Sequence, residues 1–179
     1  MIPTTVQEGE VTPVTFMSYN PTGLNSSAKC RFSNTVCNDL QVDFLSVQEH
    51  FKFTSNTNQY FKKQFPDFFS YVIPGHRSPG QDSGRPKAGL AQLARKDLRI
   101  KKSRVPTKSY RVQAQVLSFP STRVLWLNTY SLTDPQLIGQ YDDSDLQELL
   151  AEVEEILSSV SYNDVVWGSD LNWDPKRAT

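Results

Sequence analysis

Long apolar runs are missing from this sequence. No stretch approaches the roughly 20 residues that a helix needs to cross a bilayer, so no membrane partner is expected. The opening residues, MIPTTVQEGE, have neither a basic start nor an apolar core, so no secretory signal peptide is expected and nothing argues for secretion. Cysteine and histidine are scarce, with two of each. Cys30 and Cys37 lie seven apart, a spacing that suits neither a zinc knuckle nor a CxxC redox pair, and they read as buried or idle thiols. With so few ligands, scattered, a thiolate–imidazole zinc site cannot be built. No internal repeat or low-complexity tract is present.

What remains is a chain of 179 residues, 37% hydrophobic and 21% charged, long enough for one domain with a sizeable core. Net charge is zero, but the charge is segregated. Residues 77–111 carry eleven Lys/Arg against two acids, and residues 134–174 carry eleven Asp/Glu with no Lys or Arg. The basic segment suits either a phosphate backbone or a strand edge where lysines discourage pairing.

Residues 1–13 read as an extended lead-in to a domain over 14–179. VTFMSYN (14–20), DFLSVQE (43–49) and DFFSYVIP (67–74) read as strands, and residues 27–41 as a weak helix. Residues 75–88 hold three Gly and two Pro and form a long loop. GLAQLAR (89–95), YRVQAQVLSF (110–119) and RVLWLNTY (123–130) are strands, the last two joined by PST in a hairpin. Residues 145–160 place seven Leu, Val and Ile on one helical face, with acids in the first turn. DVVWGSD (164–170) is the final strand. The class is α/β, built largely on antiparallel and mixed sheet with covering helices.

Several strands close on polar residues: Asn20, Gln48–Glu49, Asn128 with Tyr130, and Asp170 with Asn172 just beyond. Taken singly, Asn20 reads as a turn former, Glu49 as a solvated acid, Tyr130 as a core-edge residue and Asp170–Asn172 as an Asx turn. Converging on one rim, they would make a hard, oxygen-rich site, which suits Mg²⁺.

In their order these blocks resemble the endonuclease/exonuclease/phosphatase superfamily, and within it the endonuclease domain of non-LTR (LINE-type) retrotransposons, itself similar to apurinic endonucleases. The matching stretches are SYNPTGLNSS (18–27), VDFLSVQEH (42–50), GRPKAGLAQLAR (84–95), VLWLNTYSLTDP (124–135) and VVWGSDLNWDP (165–175). The resemblance implies a four-layer α-β-β-α sandwich of DNase I-like type. It implies Glu49 as the main ligand of Mg²⁺, or of Mn²⁺, with Asn20 beside it. Asp170 would position or deprotonate the attacking water, Asn172 would orient the phosphate or Asp170, and Tyr130 would hydrogen-bond the scissile phosphate. Arg85, Lys87 and Asn128 are expected at DNA phosphates. His50 is expected to be structural or solvated, and His76 to lie in the polar loop.

The family pattern continues beyond these blocks to a Ser-Asp-His block with no counterpart after Asn172. The expectation is a domain lacking its C-terminal strands, with unpaired edges open to self-association and impaired catalysis. The implied activity is Mg²⁺-dependent nicking of DNA, in a parent gene that joins the domain to a reverse transcriptase, which would place it in the nucleus. Two alternatives stand beside it: an inactive remnant that keeps nucleic-acid binding, and an inositol-phosphate or sphingomyelin phosphodiesterase.

Overall fold

Two strand pairs set the architecture. Phe16–Tyr19 (β1) runs parallel to Phe44–Val47 (β2), and the helix Ser27–Asp39 (α1) crosses between them. Arg123–Tyr130 (β7) runs parallel to Asp164–Asp170 (β8), with the helix Ser144–Ser159 (α3) in the crossover. Parallel neighbours need such a crossover, because a tight turn can only reverse the chain. Between these units lie the helix Thr57–Gln64 (α2) and the strands Phe68–Ile73 (β3), Leu90–Arg95 (β4), Lys101–Val105 (β5) and Val112–Ser118 (β6). The computed structural model describes residues 13–24, 26–77, 86, 88–131 and 144–171.

Among the described residues the strands form two four-stranded sheets, ordered β1-β2-β4-β3 and β5-β6-β7-β8. All pairings are antiparallel except β1–β2 and β7–β8, so both sheets are mixed. α1 and α2 cover the outer face of the first sheet. Cys30, Cys37, Phe61 and Phe65 pack there on Leu45, Val47, Phe68 and Leu93. α3 covers the second, setting Leu149, Val153 and Ile156 on Val112, Ala114, Leu125 and Leu127. The layers are therefore α-β-β-α, as expected from the resemblance. The two C-terminal elements agree closely with the sequence reading: β8 has the expected bounds, and α3 starts and ends one residue early.

Both cysteines are free and buried on the inner side of α1, with desolvation raising the Cys37 thiol to about 11. Ser26 caps α1 by accepting from the Lys29 amide at 3.2 Å.

The space between the sheets is apolar at one end and polar at the other. Phe16, Phe44 and Trp126 stack into the apolar end with Leu117 and Val124. Towards the carboxyl ends of β2 and β7 the inward positions become amides. Asn128 accepts from Gln48 Nε2 at 2.7 Å, and its Nδ2 faces Val47 O, Ala91 O and Gln113 Oε1 at 3.1–3.2 Å. Gln115 donates to Gln92, and Gln92 to Trp126 O. Buried amides of this kind hold only when fully bonded, because each orphaned group costs about 1–3 kcal/mol.

Two elements went unread in the sequence. α2 (TNQYFKKQ) shows only Tyr60 and Phe61 as apolar residues, too few for a helical stripe. β5 (KKSRV) reads as part of the basic segment, and it is an edge strand. The PST turn does join β6 to β7, with Ser118 opposite Arg123. On the outer face of the other edge strand, β8, Val165 and Trp167 are 40% and 41% exposed.

Gly168 of β8 lies against β1 and β2. A Cβ there would meet Ser46 Cβ and Oγ at 2.9 Å and Ser18 Oγ at 3.0 Å. Gly168→Ala is therefore expected to lower stability by about 1–3 kcal/mol, the usual cost of overpacking. Urea denaturation checks this; an unchanged midpoint would mean that the sheets separate freely at this point.

Candidate active site

The carboxyl ends of the two parallel pairs meet at one rim. Parallel strands bring their ends to the same side, and in open α/β sheets that side is where ligands bind. Asn20 follows β1, Glu49 follows β2 by two residues, and Tyr130 and Asp170 close β7 and β8 opposite one another in register. β1 also lies against β8, which joins the two pairs.

One amide ties the acids together. Asn20 Nδ2 donates to Glu49 Oε2 at 2.9 Å and to Asp170 Oδ2 at 2.5 Å. The Asn20 Oδ1 accepts from the Thr22 amide at 2.8 Å, so the residue is a turn former as well as a bridge. The Tyr130 hydroxyl donates to the other Glu49 oxygen at 2.5 Å. Tyr130 is 3% exposed, whereas Asn20, Glu49 and Asp170 are half-buried and open to the rim. Two carboxylates from different sheets are thus held beside a single neutral donor.

The backbone beneath Glu49 is unusual. Glu49, Phe51 and Ala88 have φ of 50°, 55° and 57°, and Gly89 has φ of 97°. For residues with a Cβ this left-handed region costs of order 1–3 kcal/mol each, and such strain gathers at functional sites. The two loops hold each other through His50 N to Gly89 O at 3.3 Å and Phe51 N to Ala88 O at 3.2 Å. His50 fills the space between them and is fully buried. The Lys52 amide donates to its Nδ1 at 3.0 Å, which places the ring proton on Nε2, 3.1 Å from Ile73 O. A Cβ on Gly89 would meet the imidazole at 2.6 Å, so glycine is required there by space as well as by φ. Burial pushes His50 down from 6.5 to about 4, so the ring is neutral at ordinary pH.

The structure thus brings together four of the residues read from the sequence: Asn20, Glu49, Tyr130 and Asp170. Arg85, Lys87 and Asn172 lie outside the described residues. Asn128 is a correction. It is fully buried and its amide is bonded to four groups inside the protein, so it does not reach the rim where a phosphate would lie. His76 stacks on Tyr110 with ring centroids 4.9 Å apart. Sequence reading missed the work of Gln48, which donates to Asn128 and to Ser18 Oγ directly beneath Glu49. It also missed Gly89. The alternation in VQAQV was the available signal that amides face inward.

The donor set fits a hard cation. Its groups are carboxylate, amide and phenol oxygens, and the thiols lie under α1. Among the described residues no three His, Cys, Asp or Glu gather into a closed cage. One or two carboxylates with water and a substrate oxygen are what Mg²⁺ takes.

No family model matches the sequence, and no curated protein matches it. Solved structures do match in fold. A humanized D. rerio TDP2 carrying 14 mutations superimposes with TM-score 0.63 at 15% identity, over 91% of this chain and 68% of its own. The AP endonuclease LMAP from Leishmania major gives TM-score 0.60 at 17% identity, over 89% of this chain and 55% of its own. The endonuclease domain of TRAS1, a telomere-specific non-LTR retrotransposon, gives 0.56 at 10% identity, over 92% and 61%. All have the endonuclease/exonuclease/phosphatase fold, and this chain spans 55–68% of their lengths.

Because His50 is neutral when folded and ordinary when unfolded, its contribution to stability is complete above pH 6.5 and falls as pH drops towards 4. The full loss is about 3 kcal/mol at roughly 1.36 kcal/mol per unit. Urea titrations in EDTA at neutral and at mildly acidic pH check it. A His50→Gln variant is expected to lose this part of the pH dependence.

Proposed function

We propose that this chain, whose fold is that of the endonuclease/exonuclease/phosphatase superfamily, is a divalent-metal-dependent phosphodiesterase acting on DNA, of the retrotransposon endonuclease type. The observation that carries the reading is the Asn20 bridge between Glu49 and Asp170, with Tyr130 on Glu49, at the carboxyl ends of both parallel pairs. The likeness to LMAP and to the TRAS1 domain supports a phosphodiester in DNA as the substrate.

In this reading Glu49, with Asn20 beside it, holds Mg²⁺ or Mn²⁺. The bound ion supplies neutralisation of the charge that gathers on the phosphoryl oxygens. Asp170 accepts a hydrogen bond from the attacking water, aims it in line with the leaving oxygen, and takes its proton as the new P–O bond forms and the bond to the leaving oxygen breaks, the electron pair passing to that oxygen, which then takes a proton from solvent. Tyr130 keeps the Glu49 carboxylate in one orientation and turns its hydroxyl to the phosphate when substrate arrives. Asn20 fixes the distance between the metal-holding and water-holding acids. Arg85, Lys87 and Asn172 are proposed as phosphate contacts. The cations of residues 77–111 are proposed to attract the polyanion through their summed field.

One observation favours a second reading, a nucleic-acid-binding chain without activity. The His50 ring is turned into the core, and His76 is stacked on Tyr110, so neither imidazole is committed to the phosphate.

Supercoiled-plasmid nicking separates the two. The expected result is nicking with Mg²⁺ that EDTA abolishes, and that Glu49→Ala and Asp170→Asn each reduce by roughly 10²-fold or more. A folded chain that binds plasmid but never nicks it, or whose nicking survives Glu49→Ala, overturns the catalytic reading.

A further inference from the structure

The side of the sandwich away from β1 and β8 is built from the two other edge strands, β3 and β5. Their facing side chains are aromatic on one strand and cationic on the other. Lys102 Nζ lies 5.0 Å from the ring centroid of Phe69, and the Arg104 guanidinium lies 4.2 Å from that of Tyr71. Past the strand ends the row continues with His76 stacked on Tyr110, at an interplanar angle of 22°. Tyr110 packs in the same cluster as Tyr130, whose hydroxyl reaches Glu49. The row therefore starts at the candidate active site and descends one flank. At the rise of a strand it covers roughly 20 Å.

Cation–aromatic pairs can simply close the edge of a core, and edge lysines deter strand addition. Two observations go beyond that role. Phe69 stays 52% exposed despite its partner. Among the described residues no carboxylate lies within ion-pair distance of Lys101, Lys102 or Arg104, while Lys108 and Arg111 are each paired with an acid of α3. Among the described residues the charge on this flank has no ion-pair partner, and it stands beside exposed ring surface. Partial burial has already stripped water from the Lys102 ammonium, and its pKa is lowered accordingly.

We propose that the β3–β5 flank is a track for single-stranded nucleic acid leading to or from the rim, with phosphates on Lys102 and Arg104 and a base against Phe69. Naming the polyanion as nucleic acid rests on the phosphodiesterase reading above. A single strand fits better than a duplex for two reasons. The row is one side chain wide, and its rings and guanidinium offer planes that only unpaired bases can meet.

The test is fluorescence anisotropy in EDTA with a labelled oligothymidylate and a duplex of equal length. Lys102→Ala/Arg104→Ala and Phe69→Ala are compared with Lys62→Ala/Lys63→Ala on the exposed face of α2. The parent is expected to bind the single strand more tightly. The Lys102/Arg104 variant should bind it about tenfold more weakly or worse, with the salt slope reduced by about 1.4, at roughly 0.7 per lost phosphate contact. Phe69→Ala should weaken binding about fivefold or more with the slope unchanged. Arg104→Gln alone, at an exposed position, gives the same direction if circular dichroism shows the double variant unfolded.

The track is overturned if the α2 control loses as much, if the duplex is preferred, or if polyglutamate competes as well as the oligonucleotide. The two readings fail separately. A chain that never nicks plasmid, yet loses single-strand binding in the flank variants, removes only the activity. A chain that nicks, while its flank variants bind as the parent does, removes only the track.

Discussion

Asn128 has no contact with solvent, yet the geometry of the rim depends on it. Its amide touches β2 through Val47, Gln48 just after that strand, β4 through Ala91 and β6 through Gln113, while its own backbone belongs to β7. Apolar side chains between two sheets can slide past one another at little cost, because dispersion is not directional. Hydrogen bonds cannot, and a buried amide that lost its partners would carry the full desolvation penalty. The polar end of the inter-sheet layer therefore fixes the translation of one sheet on the other, one residue below Glu49 and two below Tyr130. Trp126 adds a similar pin further down, donating to Ser46 Oγ at 2.9 Å.

On that fixed floor the chain tolerates strained loops. Glu49, Phe51 and Ala88 hold left-handed backbone because His50 and Gly89 interlock beneath them and leave no room to relax. The strain points the Glu49 carboxylate at Asn20 and Tyr130 instead of out into solvent. Packing and hydrogen bonding supply the stability that this arrangement costs. The result is two carboxylates held in position by the protein itself, the preorganisation that the proposed catalysis would require.

How far the sequence discloses this differs from element to element. DVVWGSD carries a dense β-branched and aromatic run bounded by Asn163 and polar residues, and it forms β8 over the same residues. The apolar stripe of α3 is equally plain. β5 stays hidden because an edge strand facing solvent and aromatic rims has no reason to be apolar, and α2 because Tyr60 and Phe61 are its only apolar residues on the core. At the site, Asn20, Glu49, Tyr130 and Asp170 can be read because each ends a recognisable strand. Asn128 misleads for the same reason. It lies two residues before Tyr130 and so shares its face, but alternation says which way a side chain points and not how deep it lies. The loops of His50 and Gly89 involve pairings across the chain that no local pattern encodes.

The Asn20 bridge also has a meaning for how the molecule assembles. Its bond to Asp170 closes a loop of 150 residues, whereas each parallel pair with its helix can form from chain segments that are near in sequence. Long-range closures of this kind come late and slowly in folding, since the entropy of the loop must be met before the contact rewards it. Each half can thus be ordered while the rim is still open. The same few atoms that set the acids in place are then the last to join and the first to part. Among the described residues β1 pairs with β2 and β8 with β7, and no backbone ladder crosses the seam between them, so the rim can open while both sheets stay hydrogen-bonded.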